Sequence, residues 1–315
     1  MNTKLILMAA AIVLVGCSKN VEIPQGTQEV LSNETGKHTL HAGFESVDTK
    51  TYIDDNLHLH WTKDDRIGVF DGKTYNFQYK FRGETGDNRA DFDLVPPSGP
   101  YSANELKPAA RYAVYPYVEE TQINDETKAI SFTLPAVQQY APNSFGLGAN
   151  TMVAVTKDMD DWFLSFKNVG GYVVFSLYGE GTVIKSITFT SQAGETLAGK
   201  AEITASNTSD PTVSFMSPLD DTHVSSLTLD CGEGVTLGAT QDEAKAFWFV
   251  VPPVTLSNGF SVTFTNTDGE TITRTSSGSK TVERNTIFRI PALKVVFQDF
   301  TSNGIETLNE LAYEW

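Results

Sequence analysis

Between residues 38 and 296 the apolar side chains of this chain recur with a period of two, in short runs broken by clusters of Gly, Pro, Asn and Asp. Period-two alternation places successive side chains on opposite faces of an extended strand, so such runs read as β and not as helix. A first series covers 38–44, 57–61, 66–70, 75–81, 110–115 and 130–134. A second begins near Phe166 and covers 171–178, 183–190, 200–205, 213–216, 225–231, 246–251, 259–265, 271–275 and 286–296. Turn clusters at 52–56, 83–88 and 96–100 separate the early runs. Thr, Val, Ile and Phe dominate the strands, as expected for half-buried pleated surfaces. The fold class is therefore all-β, a sandwich or a barrel. The loop 158–161 lies close to the expected junction of the two series, at about residue 165.

The N-terminus has another character. Lys4 precedes an apolar stretch, 5–15, that is too short for a bilayer span, which needs roughly 20 residues. It ends Leu14-Val15-Gly16-Cys17, which resembles a bacterial lipobox. That resemblance implies cleavage before Cys17 and acylation of Cys17, giving a protein anchored to a membrane and not spanning it. Residues 18–37 are polar without periodicity and read as a tether.

Of the 315 residues 40% are hydrophobic and 11% aromatic, enough for two cores and against wholesale disorder. A net charge of −16 argues against a nucleic-acid partner, which needs clustered Lys and Arg. It also argues against lying flat on an anionic membrane. With Cys17 acylated, Cys231 has no partner for an intrachain disulfide, and its alternating context suggests a small buried hydrophobe.

No catalytic signature occurs: there is no Gly-x-Ser-x-Gly elbow, His-Glu-x-x-His, P-loop or Rossmann fingerprint. No enzymatic activity and no cofactor are expected. His38, His41, His58 and His60 are close in sequence, and His58 and His60 would share a strand face with Asp54 or Asp55 nearby. Two imidazoles without an evident third ligand make a poor zinc site, so no metal is expected. The carboxylate pairs Asp54-Asp55, Asp64-Asp65, Glu119-Glu120, Asp160-Asp161 and Asp220-Asp221 are adjacent residues that point apart, unlike a glycosidase pair facing across a cleft. Tyr75, Phe77, Tyr79 and Phe81 alternate on one strand, as a core face or a sugar-stacking platform. After Gln298 comes an apolar-studded tail. Ile305, Leu308, Leu311 and Trp315 have helix-like spacing, while Phe300, Ile305 and Tyr313 would suit an extended strand.

Several motifs, in order, carry a resemblance. They are Thr49-Lys50-Thr51-Tyr52, Leu59-His60-Trp61-Thr62-Lys63-Asp64-Asp65-Arg66-Ile67, Gly83-Glu84-Thr85-Gly86-Asp87-Asn88, Tyr112-Ala113-Val114-Tyr115-Pro116 and Leu134-Pro135. They continue with Phe166-Lys167-Asn168-Val169-Gly170-Gly171, Phe247-Trp248-Phe249-Val250-Val251-Pro252-Pro253 and the stretch 280–292. Together with the lipobox, this resembles the fimbrillin family of Bacteroidales, which includes FimA- and Mfa-like type V pilins, their accessory subunits and related surface lipoproteins.

The resemblance implies a signal peptide (1–16), a tether or propeptide (17–37), two tandem transthyretin-like β-sandwiches (38–165 and 166–298) and a tail (299–315). It implies export to the outer membrane and cell surface, with other fimbrial subunits as partners and cell adhesion as the role. It also implies proteolysis near the N-terminus that removes the first strand and opens a groove, filled by a strand from another subunit. Candidate cut sites are Lys37, before the first strand, and Lys50, after it; only Lys50 would release 38–44. Family members commonly carry Arg there, so Lys50 points to a trypsin-like enzyme or to no cleavage. In the uncleaved chain Leu40, Ala42 and Phe44 should share the buried face, with Thr39, His41 and Gly43 on the other. The tail is the candidate donor, with Ile305, Leu308 and Leu311 as anchors. The alternative is a surface lipoprotein that does not polymerise and binds a glycan or a host protein.

Overall fold

The computed structural model describes residues 39–45, 60–85 and 90–297. Among them all regular structure is strand, apart from one 3-10 turn at Gln241–Glu243. The first half holds β1 (Thr39–Phe44), β2 (Arg66–Asp71), β3 (Phe77–Arg82), β4 (Ala90–Leu94), β5 (Arg111–Tyr115), β6 (Gln122–Ile123), β7 (Ile130–Leu134), β8 (Val137–Ala141), β9 (Ser144–Phe145), β10 (Met152–Val155) and β11 (Phe163–Asn168). The second holds β12 (Gly171–Tyr178), β13 (Val183–Ser191), β14 (Gly199–Thr204), β15 (Thr212–Phe215), β16 (Ser226–Thr236), β17 (Lys245–Val251), β18 (Val254–Leu256), β19 (Phe260–Asn266), β20 (Thr271–Ser276), β21 (Lys280–Val282) and β22 (Ile287–Lys294).

Seven strands close a barrel in the order β1-β11-β10-β5-β2-β3-β4, with β4 returning to β1. Closure pairs every strand on both sides, which removes the free edges of an open sheet. Alternation sends Leu40, Ala42, Ile67, Val69, Tyr79, Phe81, Phe92, Ala113, Leu164 and Phe166 inward around Trp61. The outer face of β2, β5 and β10 is covered as well: Phe70, Tyr112, Val114 and Val153 pack on Ile130, Phe132, Ala201 and Ile203. All five residues of β5 are therefore buried, as in any strand with both faces covered.

The second core is a sandwich. One layer is β17-β12-β22, the other β20-β19-β13-β16-β8-β9. Val173, Phe175, Phe247 and Phe249 of the first layer meet Ile187, Phe189, Leu229, Phe260 and Phe264 of the second. Turns between these strands use local side-chain hydrogen bonds. In the β19–β20 hairpin Asn266 Oδ1 accepts from the Asp268 and Glu270 N–H groups, and Gly269 takes φ of +82°.

The expected junction at about residue 165 falls inside β11, a barrel strand. Strands from both sides of it pair: β7 runs antiparallel to β14, and β8 runs parallel to β16. Gln138 of β8 adds a second link, its amide donating to the Val250 carbonyl at 2.7 Å and accepting from the Val250 N–H at 2.9 Å.

One expected strand, 57–61, is corrected at its C-terminal end. Of 57–61, the described residues His60 and Trp61 carry no strand pairing. The alternation there is real, since His60 is exposed and Trp61 buried. Its cause is a plug, with Trp61 entering the barrel just before a tight turn. In that turn Thr62 N–H donates to Asp65 Oδ2 at 2.6 Å and Asp64 takes φ of +77°. The strands β4, β6, β8, β9, β10, β11, β18 and β21 were not among the expected runs; most are short.

Candidate functional site

The site is the seat of β1 in the barrel. β1 runs parallel to β11, with Ala42 opposite Leu164 and Phe44 opposite Phe166. It runs antiparallel to β4, with Leu40 opposite Phe92. The face assignment from period two is seen directly. Leu40 and Ala42 are buried, and the half-buried Phe44 packs against the same core. Each large apolar side chain fully removed from water contributes about 1.5–3 kcal/mol.

The opposite face of β1 is polar and bonded to β4. Thr39 Oγ1 donates to Asp93 Oδ1 at 2.7 Å, and His41 Nδ1 lies 2.8 Å from Asp91 Oδ1. Arg82 of β3 reaches the same two carboxylates, at 2.7 Å to Asp91 and 3.6 Å to Asp93. Partial burial pushes the Asp91 carboxyl up, but the hydrogen bonds from Arg82 and His41 outweigh it and hold it below its ordinary value.

A charge clamp follows directly on β1. Glu45 Oε1 accepts from Arg284 Nη1 at 2.5 Å and from the Asn168 N–H at 2.5 Å. Arg284 also donates from Nη1 to the Asn168 carbonyl at 3.0 Å, and its Nη2 lies 3.0 Å from Asp210 Oδ2. Glu45 and Arg284 are each 17% exposed at the side chain, so water screens this pair less than a surface pair. Burial lowers the Arg284 pKa, and the carboxylates of Glu45 and Asp210 more than reverse this and raise it. Asn168 in turn donates from its side chain to Asn285 Oδ1 at 2.7 Å.

Beside the end of β1 lies a cavity of about 200 Å³ lined by Phe44, Trp61, Tyr115, Phe145, Tyr172 and Trp248, among others. His60 and Asp65 also reach it. Tyr115 donates its hydroxyl to Asp65 Oδ1 at 3.0 Å. Burial pushes the Asp65 carboxyl up. The aromatic run from β3 splits: Tyr79 and Phe81 are core, while Tyr75 and Phe77 gather with Tyr101 at ring separations of 4.4 to 5.0 Å. Tyr101 is exposed.

Cys17, Lys37, His38, Lys50, His58, Ile305, Leu308 and Leu311 lie outside the described residues. The acidic neighbours Asp64 and Asp65 point apart: Asp64 pairs with Lys80 at 2.6 Å and Asp65 with the Thr62 turn. Among the described residues no three His, Cys, Asp or Glu side chains converge on a metal position. Cys231 is buried, and burial pushes its thiol up to about 12. The residues that sequence reading missed are Glu45, Asn168 and Arg284. Glu45 and Arg284 are 239 positions apart, and no local pattern links them.

No family model matches the sequence, and no curated protein matches it. Solved structures do resemble it. One from Bacteroides ovatus, described provisionally as a cell adhesion protein, is 15% identical, with 81% of this chain and 91% of that one covered and a TM-score of 0.48. A fimbrial protein from Bacteroides ovatus is 10% identical, with 83% and 50% covered and a TM-score of 0.39. The tip fimbrial protein Mfa3 from Porphyromonas gingivalis is 10% identical, with 84% and 97% covered and a TM-score of 0.36.

Proposed function

We propose that this chain is a structural or accessory subunit of type V-like fimbriae, serving cell adhesion and joined to its neighbours by exchange of the first strand. The observation that carries the reading is the seating of β1. It fills the gap between β4 and β11 and buries Leu40 and Ala42, and the chain leaves it into the segment that contains Lys50. Cutting after Lys50 and removing β1 would leave two unpaired edges and an open apolar groove, the chemistry that an added strand satisfies. The order of the fimbrillin-like motifs supports the same reading. In it the chain is exported as a lipoprotein through Cys17, and the barrel and the sandwich are its two transthyretin-like units, their boundary lying after β11 and not at residue 165. Its partners are further subunits of the same or another kind, the outer membrane through the lipid, and a host or bacterial surface ligand. No catalytic residue is assigned.

The test compares protein nicked after Lys50 with Lys50→Ala protein. Ladders that resist denaturing electrophoresis are expected from the nicked sample only. Monomers after verified loss of β1 would sink strand exchange for this chain.

A second reading is a surface lipoprotein that does not polymerise and binds a glycan. The aromatic cavity at Phe44 and the cluster of Tyr75, Phe77 and Tyr101 favour it, since sugar rings stack on such faces. Binding of glycan-array ligands by un-nicked protein, lost on Tyr101→Ala or Trp248→Ala, would support it.

A further inference from the structure

We propose that the seat of β1 selects its incoming strand by charge as well as by shape, accepting a strand that carries a carboxylate directly after the residue in Phe44's place. The inference rests on the strand-exchange reading and adds the identity of the residues a donor must present.

The seat makes five demands, each readable from β1 and the residue that follows it. The Leu40 position is fully enclosed and opposite Phe92, so it takes a large aliphatic side chain. The Ala42 position is 1% exposed and takes a small one. On the outer face, a Cβ at Gly43 would meet the tip of the Phe163 ring at 3.1 Å. That ring is about half exposed and can yield, so Gly or Ala fits there. The Phe44 position borders the 200 Å³ cavity and admits an aromatic side chain larger than the one now present.

The fifth demand is electrostatic. When β1 leaves, Glu45 leaves with it. Arg284 loses its closest carboxylate and keeps Asp210 and the Asn168 carbonyl, while the Asn168 N–H loses its acceptor. A guanidinium and an N–H converge on one point in a region largely shut from water. A carboxylate is the group that answers both, since charge-assisted hydrogen bonds are about twice as strong as neutral ones. An amide could accept there without neutralising Arg284. A Lys or Arg would be repelled, and like charges at a desolvated contact act as a strong filter between partners.

The partner is therefore a strand reading large aliphatic, any, small, Gly or Ala, aromatic, Asp or Glu. The tail of a second copy meets part of this. Ala312, Tyr313 and Glu314 match Gly43, Phe44 and Glu45 in type, but the same register puts Asn309 at the enclosed Leu40 position and the large Leu311 at the small Ala42 position. A buried carboxamide without partners is costly, so the tail of the same chain is a weaker fit than β1.

The test uses full-length chain nicked after Lys50, mixed with excess fluorescent peptide of residues 38–46 or its Glu45→Gln and Glu45→Lys forms. The Gln peptide is expected to bind about tenfold more weakly than the parent, and the Lys peptide more weakly still. Against an Arg284→Met body the Glu and Gln peptides should bind alike. If that variant fails to fold, Arg284→Lys, which keeps the charge and loses the guanidinium's simultaneous hold on Glu45 and Asp210, should still shrink the preference. A peptide of residues 307–315 should bind more weakly than the β1 peptide, and in a Leu311→Ala form it should gain affinity on Asn309→Leu; no gain would overturn the assignment of the Leu40 position. Equal uptake of Glu and Gln peptides by the wild-type body, or the same preference in Arg284→Met, would overturn the charge rule alone. Uptake of no peptide after verified loss of β1 would bring down the strand-exchange reading and the rule with it.

Discussion

The ring of Phe44 stacks on the indole of Trp61 with centroids 4.3 Å apart. Trp61 in turn meets Phe92 at 4.8 Å and Tyr115 and Phe166 at 5.6 Å, each edge to face. One side chain from a connecting segment thus touches β1 and three of the strands that surround it. Phe44 belongs to the strand that the proposed maturation removes, whereas Trp61 belongs to the body that stays. Trp61 is then the floor on which either the resident strand or its replacement must sit.

The two residues should differ in what their loss costs. Trp61 is 1% exposed, so Trp61→Ala is expected to destabilise the protein by about 3–5 kcal/mol. Phe44 is only half-buried beside a cavity, and Phe44→Ala should cost roughly half as much. Guanidinium unfolding of both variants checks this. Equal losses would mean that Phe44 is as tightly held as the core, contrary to the permissive position described for it.

Gln138 bonds both backbone groups of Val250, as a strand neighbour would, through a side chain that is 3% exposed. Gln138→Leu fills the space and leaves that N–H and C=O unpaired, at a cost of about 1–3 kcal/mol for each buried group. Gln138→Glu keeps an acceptor, and has a donor only when protonated. The expected order of stability is wild type, then Glu at low pH, then Leu. Hydrogen exchange at the Val250 amide should rise in the Leu variant; an unchanged rate would show that other groups hold this edge.

Much of the fold was legible in sequence because alternation is a local signal. The runs 171–178 and 130–134 coincide with β12 and β7. The runs 66–70, 246–251 and 271–275 differ from their strands by one residue at an end. What stayed hidden had non-local causes. β10 and β11 are strands because the barrel needs them, and β8 is a strand because it pairs with the distant β16. Trp61 was read on a strand because its alternation with His60 looks the same whether the side chain faces a sheet or plugs a barrel. The face of β1 was legible from period two. Its clamp was not, because Glu45 and Arg284 meet only through tertiary structure and both look like ordinary surface charges in a chain of net charge −16.

The Asp91 contact predicts a pH response. Its carboxyl is held below its ordinary value in the folded chain. A depressed carboxylate contributes stability that is complete above the unfolded value, about 3.9, and is lost as pH falls through the lower folded value. Asp91 bonds His41 of β1, so release of β1 from the nicked chain should speed up as pH drops below about 4. In Asp91→Asn the rate should be higher at neutral pH and flatter across the acid range. Peptide release followed by fluorescence measures this. A wild-type rate that is constant from neutral pH to about 3 would remove Asp91 from the retention of β1.

Anchoring rests on the segment ending Leu14-Val15-Gly16-Cys17, which lies outside the described residues. Cys17→Ala should leave the protein unacylated and shift it out of the membrane fraction. Mass spectrometry of the wild-type N-terminus is the direct check. An unmodified wild-type chain, or a variant that still fractionates with membranes, contradicts the lipobox reading.

The tail poses a sharper question, because its three expected anchors cannot all serve one strand. In an extended segment Ile305 and Leu311 fall on one face together with Tyr313, and Leu308 falls on the other. In a helix Ile305 and Leu308 would instead share a face with Leu311 or its neighbours. Substitution separates these cases. If the tail donates a strand, Leu311→Asp should abolish ladder formation by nicked protein and Leu308→Asp should leave it nearly intact. If it acts as a helix, both should be damaging. Truncation after Gln298 frames the comparison: the truncated protein should keep its fold, shown by an unchanged unfolding midpoint, and lose the ladder. A ladder formed without the tail would move the donor to another segment or another subunit, and the enclosed position at Leu40, which disfavours Asn309, points to a different subunit first.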